Sequence, residues 1–145
     1  NIAVKLTMLG DGILRKAVQE KVNKLGLEQY ISLPGNVANV PQYLSEASIY
    51  VHSATYEPFG LVLLEAMAAG LPIVSLDGGG NRDIIEEGEN GYLLTEQNPE
   101  IFATAILKLA ADKVLYRKMS DYAVAYARQH DIASYTDKLL QLYQK

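Results

Sequence analysis

Short apolar runs alternate along the chain with longer stretches in which apolar residues recur every three or four positions, a pattern that predicts strands and helices in turn. The run IAVKLTMLG (residues 2–10) reads as a strand stopped by the turn GDG. ILRKAVQEKVNKLG then sets Ile13, Leu14, Ala17, Val18, Val22 and Leu25 on one helical stripe closed by Gly26. YISLPG predicts a second strand, VPQYLSEAS a short helix with Pro41 near its start, and IYVHSA a third strand. YEPFGLVLLEAMAAG (residues 56–70) predicts a helix that is apolar all round, hence buried between the sheet and other helices. PIVSL follows as a fourth strand with Pro72 at its start, NRDIIEE as a short helix capped by Asn81, and GYLL as a fifth strand. From Pro99 onward the pattern is helical almost to the end, in three segments, with no internal repeat and no low-complexity linker.

Apolar strands alternating with helices imply an α/β fold, a Rossmann-like doubly wound parallel sheet with a helical C-terminal tail. In such sheets ligands sit at the carboxyl ends of the strands. Three turns are expected there: Gly10 to Gly12, Ser53 to Gly60, and Gly78 to Asn81.

Composition narrows the function classes. With 145 residues and 49% apolar side chains the chain can build one domain, residues 1–145, around a real core. Thirteen basic against 17 acidic residues, with no dense basic run, disfavour a nucleic-acid or anionic-membrane surface. The absence of cysteine excludes disulfides and thiolate metal sites. No stretch reaches the roughly 20 apolar residues that span a bilayer, so a cytoplasmic location is expected. The strand at residue 1 opens at once, which suggests a fragment lacking its first strand and helix.

The segment from Tyr56 to Gly70 carries the candidate chemistry. In a buried helix, Glu65 is a charge in the wrong solvent and must meet a cation, donors or a ligand. Glu57 precedes Pro58, which disfavours helical geometry for it and sets it beside the first amides of the helix. Residues 59 to 62 would present unpaired N–H groups and the positive end of the helix dipole, a site suited to phosphate. Seven residues of helix rise, about 10 Å, would separate Pro58 from Glu65. A ligand with hydroxyls at both ends and phosphate between, such as a nucleotide-sugar, matches that spacing, since a carboxylate accepts from paired hydroxyls. The alternatives are an exposed loop residue at 57 and a structural ion pair at 65, and spacing alone does not decide.

The run SATYEPFGLVLLEAMAAGLPIVSLDGGGNRDIIEEGENGYLL closely resembles the signature of the retaining glycosyltransferases of family 4, which have a GT-B fold. Glu57 and Glu65 match that family's pair of glutamates with seven residues between them, Ala66 to Pro72 its small-residue helix end, and Gly78 to Gly80 its glycine loop. LGDG, LPGNV and the helical tail also resemble its donor-binding, C-terminal domain. The resemblance implies that Glu57 is the catalytic-site residue contacting the transferred sugar. It implies that Glu65 holds the ribose hydroxyls and that the amides after EPFG, at Gly60, Leu61 and Val62 and beside Phe59, meet the diphosphate. Gly35, Asn36 and Val37 would border the base, and Gly78 and Gly79 would line the same cleft. The implied reaction is transfer of a sugar from a nucleoside diphosphate sugar to an acceptor hydroxyl with retention, in cell-surface polysaccharide or glycolipid synthesis.

The resemblance implies a sugar or lipid-linked acceptor held by an N-terminal acceptor domain, peripheral membrane association only for a full-length enzyme, no nucleic acid, no cofactor and no metal. Family members also carry an Arg and a Lys that neutralise the diphosphate, just after a strand that would precede NIAVKLTML, so residues 1–145 alone are expected to be inactive. Retaining glycosidases place their two carboxyls about 5 Å apart. Glu57 and Glu65 are expected to be too distant for that, which by analogy favours attack on the leaving group's own face. The competing readings are a nucleotide-sugar epimerase and a non-catalytic nucleotide-binding module on the same architecture. A dinucleotide oxidoreductase fails because Arg15 stands where Gly-x-Gly-x-x-Gly needs its third glycine, and no P-loop motif is present. Of the two histidines, His52 reads as a satisfied core or turn residue and His130 as a helix-dipole partner. Arg82 reads as solvent-facing, and the tail tyrosines at 116, 122, 126, 135 and 143 as packing.

Overall fold

The computed structural model describes residues 4–144, so the opening of the first expected strand lies outside the described residues. The chain divides into two compact units, residues 1–40 and 41–145.

In the first unit β1 (Leu6–Leu9) and β2 (Ile31–Gly35) pair in parallel, with Leu6 opposite Ile31, and α1 (Arg15–Lys24) connects them. The helix begins two residues later than its apolar stripe predicts, leaving Ile13 and Leu14 exposed. The turn explains the delay: Gly10 has a positive φ, and the Gly12 N–H donates to Asp11 Oδ1. Gly26 closes α1 as expected, its N–H returning to the Asn23 carbonyl. Arg15 is a structural tie, donating to the Leu33 carbonyl at 2.9 Å.

The second unit takes in α2 (Val40–Glu46) from Pro41 onward. It holds β3 (Tyr50–His52), α3 (Leu61–Ala68), β4 (Ile73–Leu76), a 3₁₀ turn (Gly80–Asp83) and β5 (Gly91–Leu94), then α4 (Pro99–Ala111), α5 (Lys113–Arg128) and α6 (Ile132–Tyr143). Its strands lie in the order β3-β4-β5, all parallel, with Tyr50 opposite Ile73 and Ile73 opposite Gly91. Every residue of β4 is buried, as befits a central strand covered on both faces. Successive side chains point to opposite faces. Ile73 therefore joins a core with Leu63, Ala66 and Met67 of α3, whereas Val74 joins a second core with Ala105 and Leu109 of α4. Helix α5 serves both, Ala123 in the first cluster and Met119 in the second. The architecture is thus the expected α/β, Rossmann-like type with helices on both faces of a parallel sheet.

The three tail helices start at oxygen-bearing caps: Asn98 accepts from the Glu100 N–H, Asp112 from Val114 and Leu115, and Asp131 from Ser134. Tyr116, Tyr122 and Tyr126 are partly buried, but α6 buries nothing, so Tyr135 and Tyr143 are exposed rather than packed. Among the described residues no helix is long and apolar enough to cross a membrane.

Two expectations need correction. The segment expected to be one helix over 56–70 is helical only from Leu61, because Pro58 fixes the approach and Gly60 turns left-handed at φ +92°. Only Leu63, Ala66 and Met67 of α3 are buried, while Leu61, Val62 and Glu65 are exposed, so the helix is not buried all round. NRDIIEE forms a single 3₁₀ turn instead of a helix capped by Asn81. Asn81 lies inside that turn, fully buried, with its side chain directed back to the preceding loop.

Candidate functional site

The carboxyl ends of β3 and β4 bring the loop 53–60 and the loop 77–81 together. Their backbones bond directly: the Glu57 N–H donates to the Gly78 carbonyl at 2.8 Å, and the Gly80 N–H to the Glu57 carbonyl at 2.8 Å. The approach leaves no room for side chains. A Cβ on Gly80 would lie 2.2 Å from the Pro58 carbonyl oxygen, and one on Gly78 2.8 Å from the Glu57 nitrogen. The glycine loop is therefore required by the path of the glutamate loop, whatever else it does.

Asn81 fixes this junction from beneath. Its side-chain oxygen accepts from the Gly78 N–H at 2.9 Å, and its amide donates to Ser75 Oγ at 2.8 Å and to the Leu76 carbonyl. Ser75 Oγ donates in turn to the Leu76 carbonyl. Asp77 holds the outer side, accepting from the Gly79 N–H at 3.0 Å and from Arg82 at 2.7 Å. Those two contacts, the backbone donor first, hold the Asp77 carboxyl below its ordinary range. Arg82 is accordingly a loop brace as well as an exposed residue. The alternation of apolar residues gave no signal for Asn81, since a polar residue after Gly-Gly-Gly reads as a cap.

Glu57 is mostly enclosed, its side chain 20% exposed. Oε1 accepts from the Gly60 N–H at 2.8 Å and, at 3.3 Å, from the Phe59 N–H. Two of the four amides expected to be unpaired thus donate to Glu57 itself, which holds the two residues leading into α3. The amides of Leu61 and Val62, in the first turn of α3, have no acceptor within the helix. Oε2 of Glu57 lies 3.3 Å from His52 Nε2. That nitrogen is shut off from solvent without a hydrogen-bond partner, so the contact has the distance but not the alignment of a bond.

Glu65 is one turn beyond Leu61 on the same helical face and is exposed, not buried. The desolvation expected to force a partner on it is absent. Among the described residues no Lys or Arg forms an ion pair with it either. Tyr50, stacked on His52 with ring centres 6.2 Å apart, senses both acids: burial pushes its hydroxyl above the ordinary value, and Glu65 and then Glu57 push it the same way.

The structure therefore gathers Glu57, Phe59, Gly60, Gly78 and Gly79 at one junction, with Leu61, Val62 and Glu65 along the exposed face of α3. Gly35 ends β2 in the first unit and Asn36 and Val37 follow it; Gly35 is buried at φ +81° and its carbonyl accepts from the Gly10 N–H. His130 meets the last turn of α5, its Nδ1 2.9 Å from the Tyr126 carbonyl and its ring stacked on Tyr126. Two open apolar grooves of about 410 and 470 Å³ run along α4, and none of these candidate residues lines either. Among the described residues no three His, Cys, Asp or Glu side chains gather as a metal-ligand group.

The family described as Glycosyl transferases group 1 matches residues 1–129. The chain is 32% identical over 122 residues to the N-acetyl-alpha-D-glucosaminyl L-malate synthase of Bacillus anthracis, covering 84% of this chain and 32% of that protein. It is 31% identical over 140 residues to the lipopolysaccharide core biosynthesis glycosyltransferase LpsE of Rhizobium meliloti, covering 96% and 41%. Among solved structures, Anabaena Alr3699/HepE in complex with UDP-glucose superposes with a TM-score of 0.87 at 28% identity, over 97% of this chain and 41% of that one. The chain spans between 32% and 41% of the length of these relatives.

Proposed function

Because the chain belongs to the glycosyl transferases group 1 family, we propose that it is the donor-binding domain of a retaining transferase. Such an enzyme moves a sugar from a nucleoside diphosphate sugar to an acceptor hydroxyl. The observation that carries this reading is the carboxylate of Glu57, held at the N-terminus of α3 by the Gly60 amide against a glycine loop. It stands next to two first-turn amides that lack an acceptor within the helix.

In the proposed reaction the bond from the anomeric carbon to the β-phosphate oxygen breaks and its electron pair stays on the phosphate. The acceptor oxygen bonds to the anomeric carbon on the same face, and its proton passes to the departing phosphate oxygen. Negative charge grows on the diphosphate, where the amides of Leu61 and Val62 and the positive end of the α3 dipole stabilise it. Glu57 meets the transferred sugar, and the exposed carboxylate of Glu65 accepts from the ribose hydroxyl pair. Free carboxylate lone pairs are what such a role needs, and the lack of an ion pair at Glu65 supports it.

A UDP-sugar is the proposed donor, on the strength of the relative solved with UDP-glucose. A role in cell-surface polysaccharide or glycolipid synthesis, on the cytoplasmic side, is proposed from the lipopolysaccharide relative. Donor binding is proposed to need no metal. A thermal-shift screen with UDP, GDP, ADP and their sugars, with and without EDTA, tests the reading. UDP and UDP-sugars should raise the melting temperature equally under both conditions. No shift with any nucleotide would overturn the donor-site reading, and a shift abolished by EDTA would overturn the metal-free part. Residues 1–145 assayed alone should transfer no sugar.

A further inference from the structure

Glu57 is asked to do two things at once. Its Oε1 occupies the Gly60 and Phe59 amides at the mouth of α3, directly beside the Leu61 and Val62 amides assigned above to the diphosphate, so a pyrophosphate seated on the latter pair competes for the former pair as well. An anion arriving there competes with the carboxylate for the amides. Once displaced, a carboxylate with no other hold swings into solvent and is lost to the reacting carbon.

The second hold is already in place. His52 ends β3 in register with Ser75 of the fully buried strand β4, so its backbone is fixed. Its ring packs beside Tyr50 at an interplanar angle of 19°, and its side chain is 14% exposed. Nε2 is enclosed with no hydrogen-bond partner, yet lies 3.3 Å from Glu57 Oε2. A buried polar nitrogen left unpaired costs stability and calls for an explanation. A small turn of the Glu57 carboxylate, of the kind that release from the amides permits, would complete the bond.

We propose that His52 is the positioning residue of Glu57: as the donor's pyrophosphate takes the Phe59 and Gly60 amides, the carboxylate passes from them to His52 Nε2 and is kept at the sugar. This rests on the donor-site reading above and adds an exchange of partners to it. With its proton on Nε2, the imidazole is a donor matched to a carboxylate oxygen. Tyr50, the remaining titratable group at the pair, is kept neutral by burial and by the two acids, so it adds no competing charge.

The test uses UDP as the probe and isotope-labelled protein in solution NMR. The chain has two histidines, so the imidazole signals of His52 and His130 are separable. On saturation with UDP, the Nε2 proton of His52 should move downfield, as a hydrogen bond forms, while His130 stays in place. In Glu57→Gln the backbone amides of Leu61 and Val62 should still respond to UDP, while the His52 shift falls to less than half. If those amides respond in the native protein and His52 does not, or if His52 responds equally in Glu57→Gln, the exchange is overturned and the donor site stands. If neither the amides nor His52 respond, the donor-site reading falls and the exchange with it.

Discussion

At the scale of single residues, the two glutamates do different physical work even though the sequence presents them as a pair. Glu57 holds the entry to α3 and is mostly enclosed, so its replacement should cost both stability and function. Glu57→Ala should destabilise the fold by about 1 kcal/mol, the ordinary net worth of a hydrogen bond lost from the Gly60 N–H. In the intact enzyme it should lower kcat by about 100-fold or more, as loss of a group at the reacting centre does. Chemical denaturation and steady-state kinetics would read the two effects separately. Glu65, exposed and without an ion pair, should be almost neutral to folding: Glu65→Ala should leave the unfolding free energy within about 0.5 kcal/mol. Tyr50 gives a third handle. Its hydroxyl is raised in the fold, so its contribution is fully present below the unfolded value near 10 and is lost as pH climbs through the folded one. Stability measured from about pH 9 upward should fall less steeply in Tyr50→Phe. The sequence singled out Glu57 and Glu65 through their resemblance to the family's glutamate pair, but it misjudged the surroundings of Glu65. Apolar neighbours at Leu61 and Val62 suggested burial, whereas the fold leaves that whole face of α3 open, so exposure rather than desolvation marks Glu65.

Elements were legible where their signals were local. The three tail helices were readable from apolar periodicity, and Asn98, Asp112 and Asp131 each cap one of them within its own first turn. The stretch after β4 was not legible in the same way, because Asn81 bonds backward to Gly78, Ser75 and Leu76, partners that only the folded loop supplies. The start of α3 misled for a related reason: residues 56–60 continue a helical apolar pattern, but they are held by Gly78 and Gly80 across the junction. Asn81→Ala should therefore cost about 1–3 kcal/mol, chiefly by leaving the buried Gly78 N–H without its acceptor. The same change should loosen the loop against which Glu57 rests, and faster amide exchange at Gly78 and Gly80 would record it. Unaltered exchange there would show that the glycine loop holds its path without Asn81.

On the scale of the whole molecule, a parallel sheet with α3 on one face and α4 on the other gathers loops at the strand ends, and the family's chemistry follows from what those loops carry. The α/β class was readable from alternation alone. The division into residues 1–40 and 41–145 was not, since no change of composition marks it. The surface of α6 escaped as well: its tyrosine spacing fits packing, yet Tyr135 and Tyr143 lie open. The central claim is that the exposed face of α3, from its first-turn amides to Glu65, grips the nucleoside diphosphate of the donor. Calorimetric titration of UDP into the native protein and into Glu65→Ala tests it most directly, because this substitution leaves the fold intact. The affinity should fall by about 10-fold or more, the loss of roughly 1.4 kcal/mol expected for a charge-assisted bond to the ribose hydroxyls. Equal affinities in the two proteins would contradict the claim.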